Sequence, residues 1–194
     1  YSGSGEIVEN LKFGASDGAL SDQFGISIDT VEGGPGEGIY ALVGATRGDR
    51  DAAYLFQNKF DTVGWQQKQK LTASDASDSF GNSVSIASGS DGIYMLVADQ
   101  GHGGPAVAAG AAYLFHSKSG EPFYVDSAAP VNQKWQTKIT ASDSAPFDTF
   151  GSSVAIVSGT DAVYMLVASV QTNGSTGAAY LFHSKSSEPF YVDS

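Results

Sequence analysis

Phe80-Gly81-Asn82-Ser83-Val84-Ser85-Ile86, then Ile93-Tyr94-Met95-Leu96-Val97-Ala98, then Ala111-Ala112-Tyr113-Leu114-Phe115: three short runs with glycine-rich segments between them decide the fold. Ser83 to Ile86 alternates polar and apolar residues, the period of a strand with one buried face. Ile93–Ala98 is almost continuously apolar, as a strand covered on both faces requires. Ala111–Phe115 supplies a third strand. Lys68–Thr72, preceded by Trp65, and Trp135–Thr140 supply a fourth type. Trp65 and Trp135 stand at even offsets before Leu71 and Ile139, so each ring is expected on the same face as that apolar residue. Gly, Ser, Asn and Asp crowd the gaps, where turns need them, and no stretch carries a sustained helical stripe. The chain reads as all-β.

The same landmarks recur in fixed order, which marks an internal repeat. Ala-Ser-Asp stands at 15–17, 73–75 and 141–143. Phe-Gly follows at Phe24-Gly25, Phe80-Gly81 and Phe150-Gly151. A run opened by Tyr comes next, at Tyr40–Ala45, Tyr94–Ala98 and Tyr164–Ala168, and Ala-Ala-Tyr-Leu-Phe closes each set at 52–56, 111–115 and 178–182. Four short antiparallel strands per unit describe the blades of a β-propeller. The 194 residues then form a single repeat domain (1–194) of three units. Residues 7–72 hold an N-terminal strand, Ile7–Phe13, and the first blade; 73–140 hold the second; 141–194 hold a third that lacks its fourth strand. Three blades fall short of the four to eight of ordinary propellers. The open edge is expected to pair with copies of the chain, in a closed ring or open filament, or with further blades of a longer chain. Tyr1 in place of Met reads as a processed product or an excised piece.

Phe-Gly, an apolar strand ending in Leu42-Val43-Gly44-Ala45-Thr46, and then Ala-Ala-Tyr-Leu-Phe resemble the FG-GAP repeat of integrin α-subunit head propellers and of many surface proteins. The family's Gly-Ala-Pro is only partly kept: the later copies read Val97-Ala98-Asp99 and Val167-Ala168-Ser169. The resemblance implies a propeller used extracellularly or at a cell surface, with calcium loops in many members.

Against such a loop, which needs several oxygen ligands at alternating positions, Ser88–Gly92 and Ser158–Ala162 each offer one carboxylate, Asp91 and Asp161. The first copy scatters Asp29, Glu32 and Glu37. That is not the calcium motif either; Asp91 and Asp161 read as turn residues, and no cofactor is expected, with calcium kept as the one candidate. A second set pairs Asp17 with Asp22, Asp75 with Asp78 and Asp143 with Asp148. Its functional reading is a weak cation site or a catalytic carboxyl pair; its plainer reading, favoured by presence in every copy, is a carboxylate that caps a rebuilt turn.

Other motifs are short. Arg47-Gly48-Asp49 matches the tripeptide that integrins recognise, though Arg50 and Asp51 beside it fit a solvated charge cluster. Asn173-Gly174-Ser175 is a glycosylation sequon and also an ordinary tight-turn pair. Phe123-Tyr124 and Phe190-Tyr191 lie in the near-identical segments 116–127 and 183–194, as a glycan or partner contact or as packing over a blade edge. His102, His116 and His183 have no Ser or Cys motif around them and are expected at strand-end surfaces. No nucleophile elbow, phosphate loop or zinc-spaced cluster is present, so no catalytic residue is assigned and the chain reads as no enzyme.

Composition narrows the partners. The 21 acidic against 10 basic residues leave a net charge of −11, which repels phosphate backbones and anionic lipid. No apolar run reaches the length of a membrane span, and with no cysteine there is neither disulfide nor thiolate chemistry. The expectation is an extracellular, structural or adhesive propeller module in contact with proteins or glycans, within a larger assembly. Two alternatives stand beside it: a lectin with one sugar site per blade, and the non-catalytic propeller of a larger surface enzyme.

Overall fold

The computed structural model describes residues 11–46, 51–59, 64–75, 79–103, 108–119, 136–172 and 176–185. They form three antiparallel sheets, each a meander in chain order. The first holds β1 (Ser27–Glu32), β2 (Ile39–Ala45), β3 (Ala52–Asn58) and β4 (Gln66–Leu71). The second holds β5 (Phe80–Gly89), β6 (Gly92–Asp99), β7 (Ala111–Lys118) and β8 (Gln136–Ile139). The third holds β9 (Phe150–Ser158), β10 (Ala162–Ser169) and β11 (Ala178–Lys185). The four strand types thus follow the order of the sequence landmarks. A fourth strand for the third sheet would fall beyond Lys185, outside the described residues. Most of Ile7–Phe13 also lies outside them, and its described end, Leu11–Phe13, is not a strand.

Register repeats from sheet to sheet. Leu42 faces Leu55, Leu96 faces Leu114 and Leu166 faces Leu181 across the two middle strands of successive sheets. Because side chains alternate faces, this pairing gives each sheet the same two surfaces. β5 packs beside β1 on one side and β9 on the other. Leu42, Leu55 and Leu71 of the first sheet therefore pack on Phe80, Val84, Met95 and Tyr113 of the second. Leu96, Leu114 and Ile139 of the second pack on Phe150, Val154, Met165 and Val167 of the third. Every residue of β6 is buried, as its continuous apolar run implies.

Polar side chains zip the innermost strands together. Asp29 on β1 accepts hydrogen bonds from the Ser85 hydroxyl and the Ile86 N–H of β5, both at 2.9 Å. Ser83 and Ser85 of β5 in turn accept from Val154 N–H (3.1 Å) and Ile156 N–H (3.2 Å) of β9.

The Phe-Gly step is where each sheet meets the one before it. Gly25, Gly81 and Gly151 have φ of 96°, 95° and 94°, the left-handed region that costs a side chain energy. A Cβ on Gly81 would stand 2.5 Å from the Ala52 carbonyl oxygen, and one on Gly151 2.7 Å from that of Ala111. Phe80 and Phe150 are fully buried (0% exposed each). Phe24 is only partly buried, because it meets no preceding sheet among the described residues and lies with Phe13 and Trp65 on Tyr54 and Phe56.

One face assignment is corrected. Trp65 packs with Phe13 and Phe56, on the opposite face of the sheet from Leu71. Leu55 pairs with Gln69 but Phe56 with Gln67, so Lys68 is an extra, bulged residue that reverses the alternation. Trp135 lies outside the described residues.

Candidate functional site

The Ala-Ser-Asp turn places a carboxylate over the tyrosine of Ala-Ala-Tyr-Leu-Phe in every sheet. Tyr54 donates to Asp17 at 2.9 Å, Tyr113 to Asp75 at 2.6 Å and Tyr180 to Asp143 at 2.8 Å. In the first two sheets a lysine from the fourth strand closes the group: Lys70 to Asp17 at 2.6 Å and Lys138 to Asp75 at 2.7 Å. Lys70 also stands 5.4 Å from the centre of the Tyr54 ring. The tyrosine ring is core, and its hydroxyl reaches the rim.

The second Asp of each pair has a different partner. Asp22 accepts from Ala19 N–H at 2.6 Å and Asp148 from Ala145 N–H at 2.7 Å, so each caps its own turn. Ser21, Gln23, Phe147 and Thr149, which flank these two carboxylates, all have positive φ. A side chain holding the turn from inside offsets the strain of such residues, roughly 1–2 kcal/mol each. Asp78 lies outside the described residues.

In the second sheet the group is extended by the loop after β6. His102 Nε2 accepts from Lys138 at 2.6 Å, which leaves the ring proton on Nδ1, 3.5 Å from the buried carboxylate of Asp99. Asp99 also accepts from Ser79 N–H at 3.1 Å. His102 is therefore enclosed by Asp75, Asp99, Tyr113 and Lys138 rather than lying on an open surface.

Electrostatics fix the charge of the Tyr–Asp links in the first two sheets. Burial works to raise the Asp17 and Asp75 carboxyls, but hydrogen bonds from their lysine and tyrosine partners outweigh it and hold both below the usual value. Burial, then the bond to Asp75, pushes the Tyr113 phenol far above its ordinary value. Asp17 and Asp75 therefore stay ionised while Tyr54 and Tyr113 stay protonated.

A second repeated group sits at the opposite end of the middle strands. Tyr94 donates to Asp91 at 2.8 Å and Tyr164 to Asp161 at 3.2 Å, each three residues back across the hairpin. In the first sheet Gln57 donates to the Tyr40 hydroxyl and to the Glu37 carbonyl, both at 2.7 Å. His116 stacks on Tyr94 with ring centres 4.2 Å apart. Its side chain is 8% exposed, so the expected surface position is wrong for His116. The parallel stack between β6 and β7, where Tyr94 pairs with His116 and packs on the third sheet, is the reason. His183, in the matching place, is exposed. Asp29, expected in a loop, belongs to β1.

Among the described residues no group of three or more His, Cys, Asp or Glu side chains is arranged to hold a metal ion. No helix among them is long and apolar enough to cross a membrane. Arg47, Gly48, Asp49, Phe123, Tyr124, Asn173, Phe190 and Tyr191 lie outside the described residues.

The Tyr–Asp link escaped the sequence reading, although its spacing is nearly constant at 37, 38 and 37 residues. Residues 65–115 and 134–182, just over half of the chain, match the FG-GAP repeat family. The chain belongs to that family. Each FG-GAP match opens at the fourth strand of one sheet and ends at the third strand of the next, so a repeat in sequence straddles two sheets. The first sheet, with the same register and the same Tyr–Asp link, lies mostly ahead of the matched FG-GAP residues. No curated protein matches the chain.

Proposed function

We propose that this chain is an extracellular, non-enzymatic β-propeller module that serves as a structural or adhesive platform for protein or glycan contacts. The observation that carries the reading is the Tyr–Asp link rebuilt in all three sheets. A group repeated once per sheet, with its carboxylate held ionised by its partners in the first two, is spent on fastening each rim turn to the sheet below. General acid–base catalysis would instead use one site with a group poised to exchange a proton near the working pH, not a link rebuilt in every sheet. The stacking of inner strand beside inner strand supports the propeller architecture, in which each sheet is a blade. An outside location accords with the family, whose repeats are typical of extracellular proteins.

Glycan and protein arrays probed with the full chain, with and without calcium, test the proposal. Saturable binding to a protein or glycan ligand, with no turnover of it, is the expected result. Binding to one defined sugar, lost in Tyr124→Ala and Tyr191→Ala, would establish the lectin alternative. Chemical conversion of any bound ligand would overturn the non-enzymatic reading.

A further inference from the structure

Among the described residues, each end of the stack also exposes part of the internal sheet-to-sheet junction: the leucine pair on the third sheet and, on the first, the inner-strand position, the middle strands there being covered by Phe13, Phe24 and Trp65 of the same chain. The giving half is the leucine pair of the middle strands. At the two internal junctions Leu42 and Leu55 are each 0% exposed, and Leu96 and Leu114 are 0% and 2%. Their counterparts on the third sheet, Leu166 and Leu181, are 45% and 66% exposed, with Val157 beside them at 58%. The receiving half is the inner strand after Phe-Gly. Val84 and Val154 are 7% and 9% exposed there, whereas Ile28, at the same place on β1, is 61% exposed. The Phe-Gly glycine agrees: Gly81 and Gly151 press against the carbonyl of a preceding sheet, and a Cβ on Gly25 would meet nothing within 4 Å.

We propose that the Leu166/Leu181 face of the third sheet docks the Ile28 face of the first sheet of a second copy of this chain. The inference rests on the reading of the sheets as blades stacked in series. A second copy is the fitting occupant because the same polypeptide carries the complementary half, and because the mould is already filled twice inside it by residues of the same type. The polar zip continues as well. Ser153 on β9 stands where Ser83 stands on β5, is exposed, and offers its hydroxyl to the Ile28 N–H of the incoming copy as Ser83 does to Val154. The contact is heterologous, so it closes into a ring where the rotation permits and otherwise extends as a filament. Copies that each carry a charge of −11 repel at long range, while the junction itself is apolar. Association therefore strengthens with added salt.

Light scattering and analytical ultracentrifugation of the full chain test this, with Leu181→Glu blocking one end and Ile28→Glu the other. The wild-type mass is expected to rise above 20.1 kDa with concentration, more so at high salt. Each variant alone is expected to stay monomeric. Their equimolar mixture retains one good junction per pair and is expected to give a 1:1 dimer. A wild-type chain that stays at 20.1 kDa up to near-millimolar concentration, or a mixture that stays monomeric, would overturn the proposal. Both substituted residues are exposed, and circular dichroism verifies that each variant folds; Leu181→Ser and Ile28→Ser, each expected to weaken association, replace any that does not. Failure of the blade reading is separable, because it would show as loss of contact between β1 and β5 within one chain, which a monomeric but correctly stacked protein retains.

Discussion

Phe80 and Phe24 occupy the same place in the repeat, yet only Phe80 is enclosed by two sheets. Phe80→Ala is expected to cost about 3–5 kcal/mol in denaturant melts, the range for a fully buried ring. Phe24→Ala should cost clearly less, and equal losses would mean that the neighbouring sheet contributes nothing to the burial. Asp17 and Asp75 predict the acid limit. Their folded pKa values lie below the ordinary carboxylate value, so the stability they add is complete above about pH 4 and is lost as pH falls through the lowered values. Tyr113→Phe removes one of the bonds that lower Asp75, and should flatten the loss measured as urea midpoint against pH. At the alkaline end the sign reverses. Burial, with Glu37 nearby, pushes the Tyr40 phenol up to about 12, and Tyr94 and Tyr113 are raised further. Stability is therefore full below about pH 10, where free tyrosine ionises, and declines as pH rises through the raised values. A flat urea midpoint between pH 9 and 12 (a range set by ordinary tyrosine, about 10) would contradict these environments.

At the scale of the element, Gly81 and Gly25 separate backbone strain from contact. Both sit at nearly the same positive φ, so alanine at either carries the same left-handed penalty of roughly 1–2 kcal/mol. Only at Gly81 does the new Cβ also strike the Ala52 carbonyl oxygen, and Gly81→Ala is expected to lower the melting temperature further than Gly25→Ala. Equal effects would show that the Phe-Gly step is not pressed against the preceding sheet. The strands themselves were legible because period-two patterning and the repeated landmarks identify them three times over. The face of Trp65 was not, because the bulge at Lys68 depends on how β4 meets Leu55 and Phe56 and leaves no mark in a run of Gln and Lys. His116 looked like a strand-end residue because nothing local announces that Tyr94 stacks on it from the adjacent strand. The Tyr–Asp links were hidden for a related reason. Tyr54, Tyr113 and Tyr180 lie within apolar runs that read only as strand, while their hydroxyls act on turns separated from them by two strands of the chain.

For the whole molecule, the stack stands on apolar junctions and on side-chain bonds between inner strands. Melting in chelator and in millimolar calcium is expected to agree within a few degrees; a large rise with calcium would mean that the aspartate-rich turns hold the ion. The central claim is that consecutive repeats lie inner strand beside inner strand within one chain. The absence of native cysteine allows a direct test, since Asp29→Cys with Ser85→Cys places the only two thiols of the protein on β1 and β5, where the native side chains are 2.9 Å apart. A short bifunctional maleimide added to the dilute, folded double variant should link the two thiols within one chain, giving a 20.1 kDa product in which the peptides bearing residues 29 and 85 are joined. Unlinked thiols, or linkage only between different chains, would contradict the stacking on which this account depends.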